Sequence, residues 1–538
     1  MSARIVLATL NAKYIHASLG LRYLMANMQR HGGADLAALT CVQEFTIQRP
    51  AVEIVETLLQ SLGDAEVRVV GLGVYIWNVT QTTEVIRLLK ARSPDVKVVL
   101  GGPEVSHELE GQALVQLADH VITGWGDVSF PKLCRALVFG PKPLMKVIAG
   151  EQPPLDTLDL PYALYSDTDL AQRVLYVEAS RGCPFKCAFC LSALDKTAWA
   201  FDLEPFLAEL ATLYARGARN FKFVDRTFNL KVDSSVRILQ FFLDRLQAAP
   251  QDALFLHFEL VPDHLPDALK ALVAQFPAGV LQFEIGIQSF NPAVQSRIAR
   301  RQDNAKTEDN IRWLLAHTTA HLHTDLIFGL PGEDGQSFAQ GFDRLYALGP
   351  HEIQLGVLKR LRGTPLAQRS LPGAVAEDGM QYATEPPYTV LQTDAVSATE
   401  VQQFIRLARY WDLLVNSGRF GQSSRLLLQG PSAFAAWADF SQWLWQRTAS
   451  THKLTPELLL DALFYYLTLE RALPMDAVRA ALLADYLASG ARSNPQCLQG
   501  LLPRREKTGP QKPGAAQRQM RHQASAAQAD TAGSKIDA

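Results

Sequence analysis

Through residues 1–140, short and nearly unbroken runs of Val, Ile and Leu alternate with stretches of helical apolar spacing. The runs are "RIVLATL" (4–10), "LTCVQEFTI" (39–47), "EVRVVGLGVYIW" (66–77), "VKVVLGGPE" (96–104) and "HVITGWGD" (120–127). A strand needs such a run when both of its faces are buried, as in a parallel sheet covered by helices. The segments between them (18–31, 51–62, 82–93 and 129–139) have the period of helices. The pattern predicts a five-stranded, doubly wound, Rossmann-like α/β sheet over residues 1–140.

Residues 141–172 are rich in Pro and Asp and read as an extended linker. Alternation resumes over 173–395, with strands expected at 174–179, 220–225, 254–260, 280–287, 322–328 and 352–357. Six units are too few to close an eight-unit barrel, so a partial, open (β/α)6 barrel is expected. Residues 396–500 read as a helical domain with segments 399–418, 434–448 and 456–470. Trp411, Trp437, Trp443 and Trp445 read there as helix-packing core before substrate-pocket lining. The polar stretch 501–538 reads as a disordered tail.

At 538 residues the chain is too long for one core, and its formal net charge of −2 gives no basic field for nucleic acid or a membrane surface. No run is long and apolar enough for a membrane span, and the N-terminus lacks the pattern of a signal peptide. Of six cysteines, Cys41, Cys134 and Cys497 are isolated. That use of cysteine suits a cytoplasmic protein rather than a disulfide framework.

The other three stand together in "SRGCPFKCAFC" (180–190), spaced C-x3-C-x2-C. A thioredoxin-type pair would leave Cys183 unused, and a zinc site would want a fourth ligand from a second knuckle, which is missing. Three thiolates suit a [4Fe–4S] cluster with one iron left open. The loop follows the first strand of the second α/β region, at the end where such folds bind ligands.

"CPFKCAFC", with an aromatic before the third cysteine, resembles the signature of the radical S-adenosylmethionine (SAM) superfamily. The resemblance implies that Cys183, Cys187 and Cys190 hold three irons while SAM chelates the fourth. It further implies reductive cleavage of SAM to a 5′-deoxyadenosyl radical, with Phe189 near the adenine. "FKFVDRTFN" (221–229) is similar to the family segment that holds the SAM amino group, with Asp225 as the candidate. "FEIGIQSF" (283–290) resembles the strand that meets the ribose and carboxylate, with Glu284, Gln288 and Ser289 as candidates. Glu284, Gly286 and Gln288 share one strand face, and polar groups there need partners. Glu259 also points out of an apolar strand. Arg297, Arg300 and Arg301 read as a solvated helix face before a contact to an anionic group.

An α/β domain ahead of such a core, with "TLNAKYIHASLGLRYL" at its start, resembles the cobalamin-binding branch of the superfamily, and the helical region resembles the uncharacterised C-terminal domain of some members. The resemblance places cobalamin at the carboxyl edge of the first sheet, where Gly101, Gly102 and Gly124 allow close approach. The Asp-x-His-x-x-Gly motif of many cobalamin domains is absent; the first loop reads "NAKYIH", and His16 reads as a cap or packing residue. The implied activity is methylation of an unactivated carbon of a small molecule, with an electron donor such as flavodoxin or ferredoxin. Cyclisation or rearrangement without methyl transfer, and a non-catalytic cobalamin or iron–sulfur sensor, are the alternatives. A methylthiotransferase would need three further N-terminal cysteines; that region offers only Cys41 and Cys134.

Overall fold

A computed structural model describes residues 2–195, 197–369, 379–491, 494–502, 519 and 521–522. The first sheet contains β1 (Ala3–Asn11), β2 (Thr40–Thr46), β3 (Val67–Gly73), β4 (Lys97–Gly101), β5 (His120–Thr123) and β6 (Val147–Ala149). All six pair in parallel, in the order β2-β1-β3-β4-β5-β6. Reversal of direction beside β1 makes the sheet doubly wound. It has one strand more than expected, because the linker segment supplies β6 at the edge. The expected helix 18–31 is two helices, Leu19–Ala26 and Met28–Gly32. They break at Asn27, whose side chain bonds Tyr23 O, Asp159 O and Asp159 N instead of continuing a regular face.

The second sheet begins at β7 (Leu175–Val177), which is followed by a small hairpin, β8 (Ser180–Gly182) against β9 (Ala198–Ala200). It continues through β10 (Asn220–Phe223), β11 (Phe255–Leu260), β12 (Leu281–Gln288), β13 (His321–Phe328) and β14 (Glu352–Val357). These strands form an open parallel sheet in the order β14-β13-β12-β11-β10-β7. Along β12 burial alternates strictly: Phe283, Ile285 and Ile287 enter the core, and Glu284, Gly286 and Gln288 face the concave side. A last hairpin, β15 (Gln381–Tyr382) with β16 (Val390–Gln392), leads into the helical region.

Of the tryptophans of that region, Trp411, Trp437 and Trp443 are core and Trp445 packs half-buried against it. Trp411 and Trp437 are fully buried and pack edge-on to one another at 5.2 Å. The Trp411 indole donates to Ile353 O on β14, which seats the helices against the barrel. Much of the expected tail lies outside the described residues. Gln519 is buried and donates to Leu281 O of the barrel, and His522 contacts Asn416 O of the helical region and lies 3.7 Å from Glu352 on β14. Among the described residues no helix is long and apolar enough to cross a membrane.

Polar contacts on two sides align the sheets. Buried Arg22 and Arg173 share Glu44 and Asp169, at 2.8–3.2 Å. The first loop runs alongside the second sheet, with His16 bridged to Val174. At the far side Glu104 and Glu108, beyond β4, pair with Arg362 and Arg360, beyond β14.

Candidate functional site

Both sheets end in a cavity at their carboxyl edges, and the cysteine loop stands between the two. Pairing of β8 with β9 closes that loop. Gly182 is required there: its φ is +86°, and a Cβ would collide with Thr197 O. The loop is then pinned to the barrel by Ala188, whose N–H donates to Ile298 O (2.8 Å) and whose carbonyl accepts from Leu366 N (2.9 Å).

The first cavity, about 340 Å³, is floored by backbone at Gly71, Gly73, Gly101, Gly102 and Gly124, with Tyr75 and Trp125 as aromatic walls. Gly102 has φ +107°, and a Cβ on it would come within 2.5 Å of Val74 O. Among the described residues lining the cavity there is no histidine. His16 lies elsewhere, with its Nδ1 2.7 Å from the Tyr176 hydroxyl.

The second cavity, about 240 Å³, carries Cys183, Cys187, Cys190 and Phe189 on one wall and Glu259, Glu284, Gly286, Gln288 and Asp325 on the other. Among the described residues no three His, Cys, Asp or Glu side chains could hold a single metal ion. Three cysteine thiols on one wall are the donor set that iron–sulfur clusters use. Burial pushes the Cys183 thiol up to about 11 and raises Cys187 as well. Thiolates here therefore need cations beside them. The Arg300 guanidinium supplies one, 3.7 Å from Cys187 Sγ.

Opposite the cysteines, Glu284 accepts from Lys222 (3.1 Å) and lies 3.0 Å from His257 Nε2. Burial would raise its carboxyl, but the His257 contact and the Lys222 charge hold it below the usual range. Asp325 behaves oppositely: burial, then the nearby Glu284 and Glu259 charges, push its carboxyl well above its ordinary value. The buried oxygens Gln288 Oε1 and Asp325 Oδ1 have no hydrogen-bond partner among the described residues. Gln288 also has φ +69°, where the register of β12 against β13 slips. His323 Nε2 lies 3.8 Å from Asp325 Oδ1, beyond hydrogen-bond reach, and a buried, unbonded amide oxygen on a strained Gln288 facing a cavity marks a place where a ligand completes the bonding.

A model of the B12 binding domain matches residues 5–134, a model of the radical SAM superfamily matches 177–345, and a family described as a protein of unknown function (DUF4080) matches 376–532. The chain thus carries a B12 binding domain followed by a radical SAM domain. It is 25% identical over 381 residues to the cobalamin-dependent radical SAM methyltransferase TokK of Streptomyces tokunonensis, covering 64% of this chain and 54% of that relative. It is 24% identical to a 2-(S-pantetheinyl)-carbapenam-3-carboxylate methyltransferase of Streptantibioticus cattleyicolor, covering 66% and 58%. The chain thus spans little more than half the length of these curated relatives. Among solved structures, the cobalamin-dependent SAM radical enzyme OxsB aligns with a TM-score of 0.59 at 13% identity, over 90% of this chain and 79% of that one. TsrM of Kitasatospora setae aligns at 0.57 and 16%, over 90% and 100%. At these identities the likeness concerns the fold.

The radical SAM domain implies a [4Fe–4S] cluster and SAM, and the B12 binding domain implies cobalamin. The residues fit. Three thiols, an adjacent guanidinium and two buried oxygens that accept no hydrogen bond among the described residues share the second cavity. A glycine floor free of imidazole suits a corrin bound without a histidine ligand from the protein.

Of the residues singled out in the sequence, the three cysteines, Phe189, Glu284 and Gln288 meet in the second cavity, and Gly101, Gly102 and Gly124 meet in the first. Asp225 and Ser289 do not line either. Asp225 is buried, accepts from Ala179 N (3.0 Å) and the Ser180 hydroxyl (2.6 Å), and is pushed up to about 7 by burial. It braces the chain entering the cysteine loop from behind. Ser289 donates to Glu333 in a buried turn. Arg300 corrects the solvated-helix reading: the helix Pro292–Arg297 ends before it, and a left-handed turn at Ala299 precedes its entry into the cavity. Asp325 was the other omission; its parity with His323 along β13 is the signal that could have found it.

Proposed function

We propose that this protein is a B12-dependent radical SAM enzyme that methylates an unactivated carbon of a small molecule. One observation carries the reading: a single loop is the common wall of both cavities, since Gly182 and Asp195 line the first while Cys183 and Ala193 line the second. A methyl carrier and a radical generator must face one substrate carbon, and a shared wall allows that. When bound, the reduced cluster supplies the electron that cleaves SAM, and cobalamin supplies a transferable methyl group.

The protein's part is to bind, orient and exclude water. Cys183, Cys187 and Cys190 would hold three irons. Gln288 and Asp325 would satisfy their open oxygens on SAM, and Arg300 would face its carboxylate. Glu284, held below the usual carboxylate range by His257 and Lys222, would offer this wall's carboxylate to a sulfonium cation, and Phe189 closes the loop side. Glycines 101, 102 and 124 would let a corrin approach the backbone at the carboxyl edge of the first sheet. A small soluble electron donor of the flavodoxin or ferredoxin type would deliver electrons.

The test is anaerobic reconstitution followed by incubation with SAM, a low-potential reductant and hydroxocobalamin. Wild type is expected to bind about four irons per chain and to form 5′-deoxyadenosine. Cys187→Ala is expected to lose both. S-adenosylhomocysteine released along with 5′-deoxyadenosine supports methyl transfer. Deoxyadenosine alone, in cobalamin-loaded protein with its substrate, would point to rearrangement.

A further inference from the structure

Arg181 lies two residues before the first cysteine, yet its side chain points away from the cluster cavity and into the wall of the other one. Its two terminal nitrogens grip Asp127 of the first domain, at 2.9 and 3.3 Å, and its Nε donates to Glu178 at 2.8 Å. The guanidinium also lies over the rings of Tyr23, Trp125 and Phe201, at 4.3, 5.0 and 5.6 Å. Its side chain is only 15% exposed. A bidentate, aromatic-stacked arginine is a geometrically exacting contact that lysine cannot reproduce.

The other flank of the loop grips the same place. Trp199, on β9 beyond Cys190, packs edge-on against Trp125 at 5.6 Å, and Asp195 lines the cavity beside it. Trp125 and Asp127 belong to one turn, Gly124–Asp127, that follows β5. That turn is locked from beneath: a Cβ on Gly150 would collide with Trp125 O. Arg181, Asp127, Trp125 and Asp195 all line the first cavity. A ligand there touches the tie itself, and the tie holds both ends of the cysteine loop.

We propose that Arg181 is a positioning residue that couples the two cofactor sites, so that cobalamin and the iron–sulfur cluster each strengthen the other's binding. The inference rests on the reading of the first cavity as the cobalamin site. Ordering the Gly124–Asp127 turn from one side orders the loop flanks on the other, and linkage makes the effect reciprocal.

Hydroxocobalamin is titrated by absorbance into anaerobic protein with its cluster and into the same protein stripped by a chelator. Wild type is expected to bind about fivefold or more tightly when the cluster is present, and its cluster EPR signal is expected to shift on adding cobalamin. In Arg181→Lys the ratio should fall below about twofold and the EPR shift should vanish, with both cofactors still bound. Asp127→Asn carries the same comparison from the other domain and serves if Arg181→Lys fails to fold. Equal affinity in both wild-type states, or an undiminished ratio in a variant that keeps both cofactors, would overturn the coupling alone. No cobalamin binding to wild type in either state would overturn the cavity assignment and the coupling with it.

Discussion

Arg300 offers a direct electrostatic test of the cysteine cavity. Its Nη1 lies 3.7 Å from Cys187 Sγ, and its Nη2 donates to Gly286 O, which fixes the guanidinium against the loop. Two unit charges at that distance interact by about 4 kcal/mol at an effective dielectric of ~20. An electron added to a cluster is spread several ångströms farther away, and Arg300 is partly exposed, so about 1–2 kcal/mol is the working figure. The reduced cluster carries one more negative charge than the oxidised one, so the arginine stabilises reduction. Arg300→Met is therefore expected to lower the midpoint potential by about 40–90 mV, using ~59 mV per 1.4 kcal/mol for one electron. Arg300→Lys should recover part of the loss. The assay is EPR-monitored potentiometry on reconstituted protein without SAM, at matched iron content, so that altered SAM binding does not enter. A potential that stays within about 15 mV of wild type, or rises, would refute the placement of this charge beside the cluster.

Burial, then the nearby Glu284 and Glu259 charges, raise the Asp325 carboxyl well above its ordinary value. Binding a sulfonium cation favours its ionised form, so SAM affinity is expected to rise with pH as that raised carboxyl ionises, whereas Asp325→Asn should bind more weakly and without that dependence, as read by equilibrium dialysis. Glu44 and Asp169 are held below their ordinary values, against the cost of burial, by Arg22 and by hydrogen bonds to their carboxylates. A depressed folded-state pKa stabilises above the unfolded value and is lost as pH falls through the folded one; urea unfolding should therefore show a loss of stability below about pH 5 that is smaller in Glu44→Gln. Glu44→Ala leaves Arg22 and Arg173 with one carboxylate between them and is expected to cost about 3–5 kcal/mol at neutral pH. Trp411→Ala removes a fully buried indole bonded to Ile353 O and should cost about 3–5 kcal/mol, seen as an earlier unfolding transition or loss of soluble protein.

The strands were legible because a parallel sheet covered on both sides demands what the chain displays: unbroken apolar runs at regular spacing. Every expected strand of the second sheet is found, within two residues at most ends. The strand that was missed, β6, has three residues in a segment rich in proline. Its identity comes from pairing with β5, not from its own composition. The hairpin β8–β9 is equally short, and what specifies it is Gly182 packing on Thr197. The break at Asn27 depends on Asp159, which is 132 residues away. Short elements held by distant partners leave little local pattern to read.

The site divides along the same physical line. Glu284 and Gln288 could be found because parity along an apolar strand shows which polar residues face the concave side. Asp225 has the same chemistry at a strand end, but a carboxylate there can serve either a ligand or the adjacent backbone, and Ala179 N and Ser180 lie nearer. Only the fold distinguishes the two uses. Arg181 is the harder case. Its partner Asp127 lies 54 residues upstream, in the turn after β5 of the first sheet, and neither side chain interrupts a pattern that would draw notice. The cysteines announce what the loop holds. The residues beside them, bonded across the domain boundary, decide how that loop is placed against its neighbour. Catalysis by two cofactors depends on that placement as much as on the ligands themselves, because a methyl group and a substrate carbon misplaced by about an ångström lose much of the rate that orientation provides.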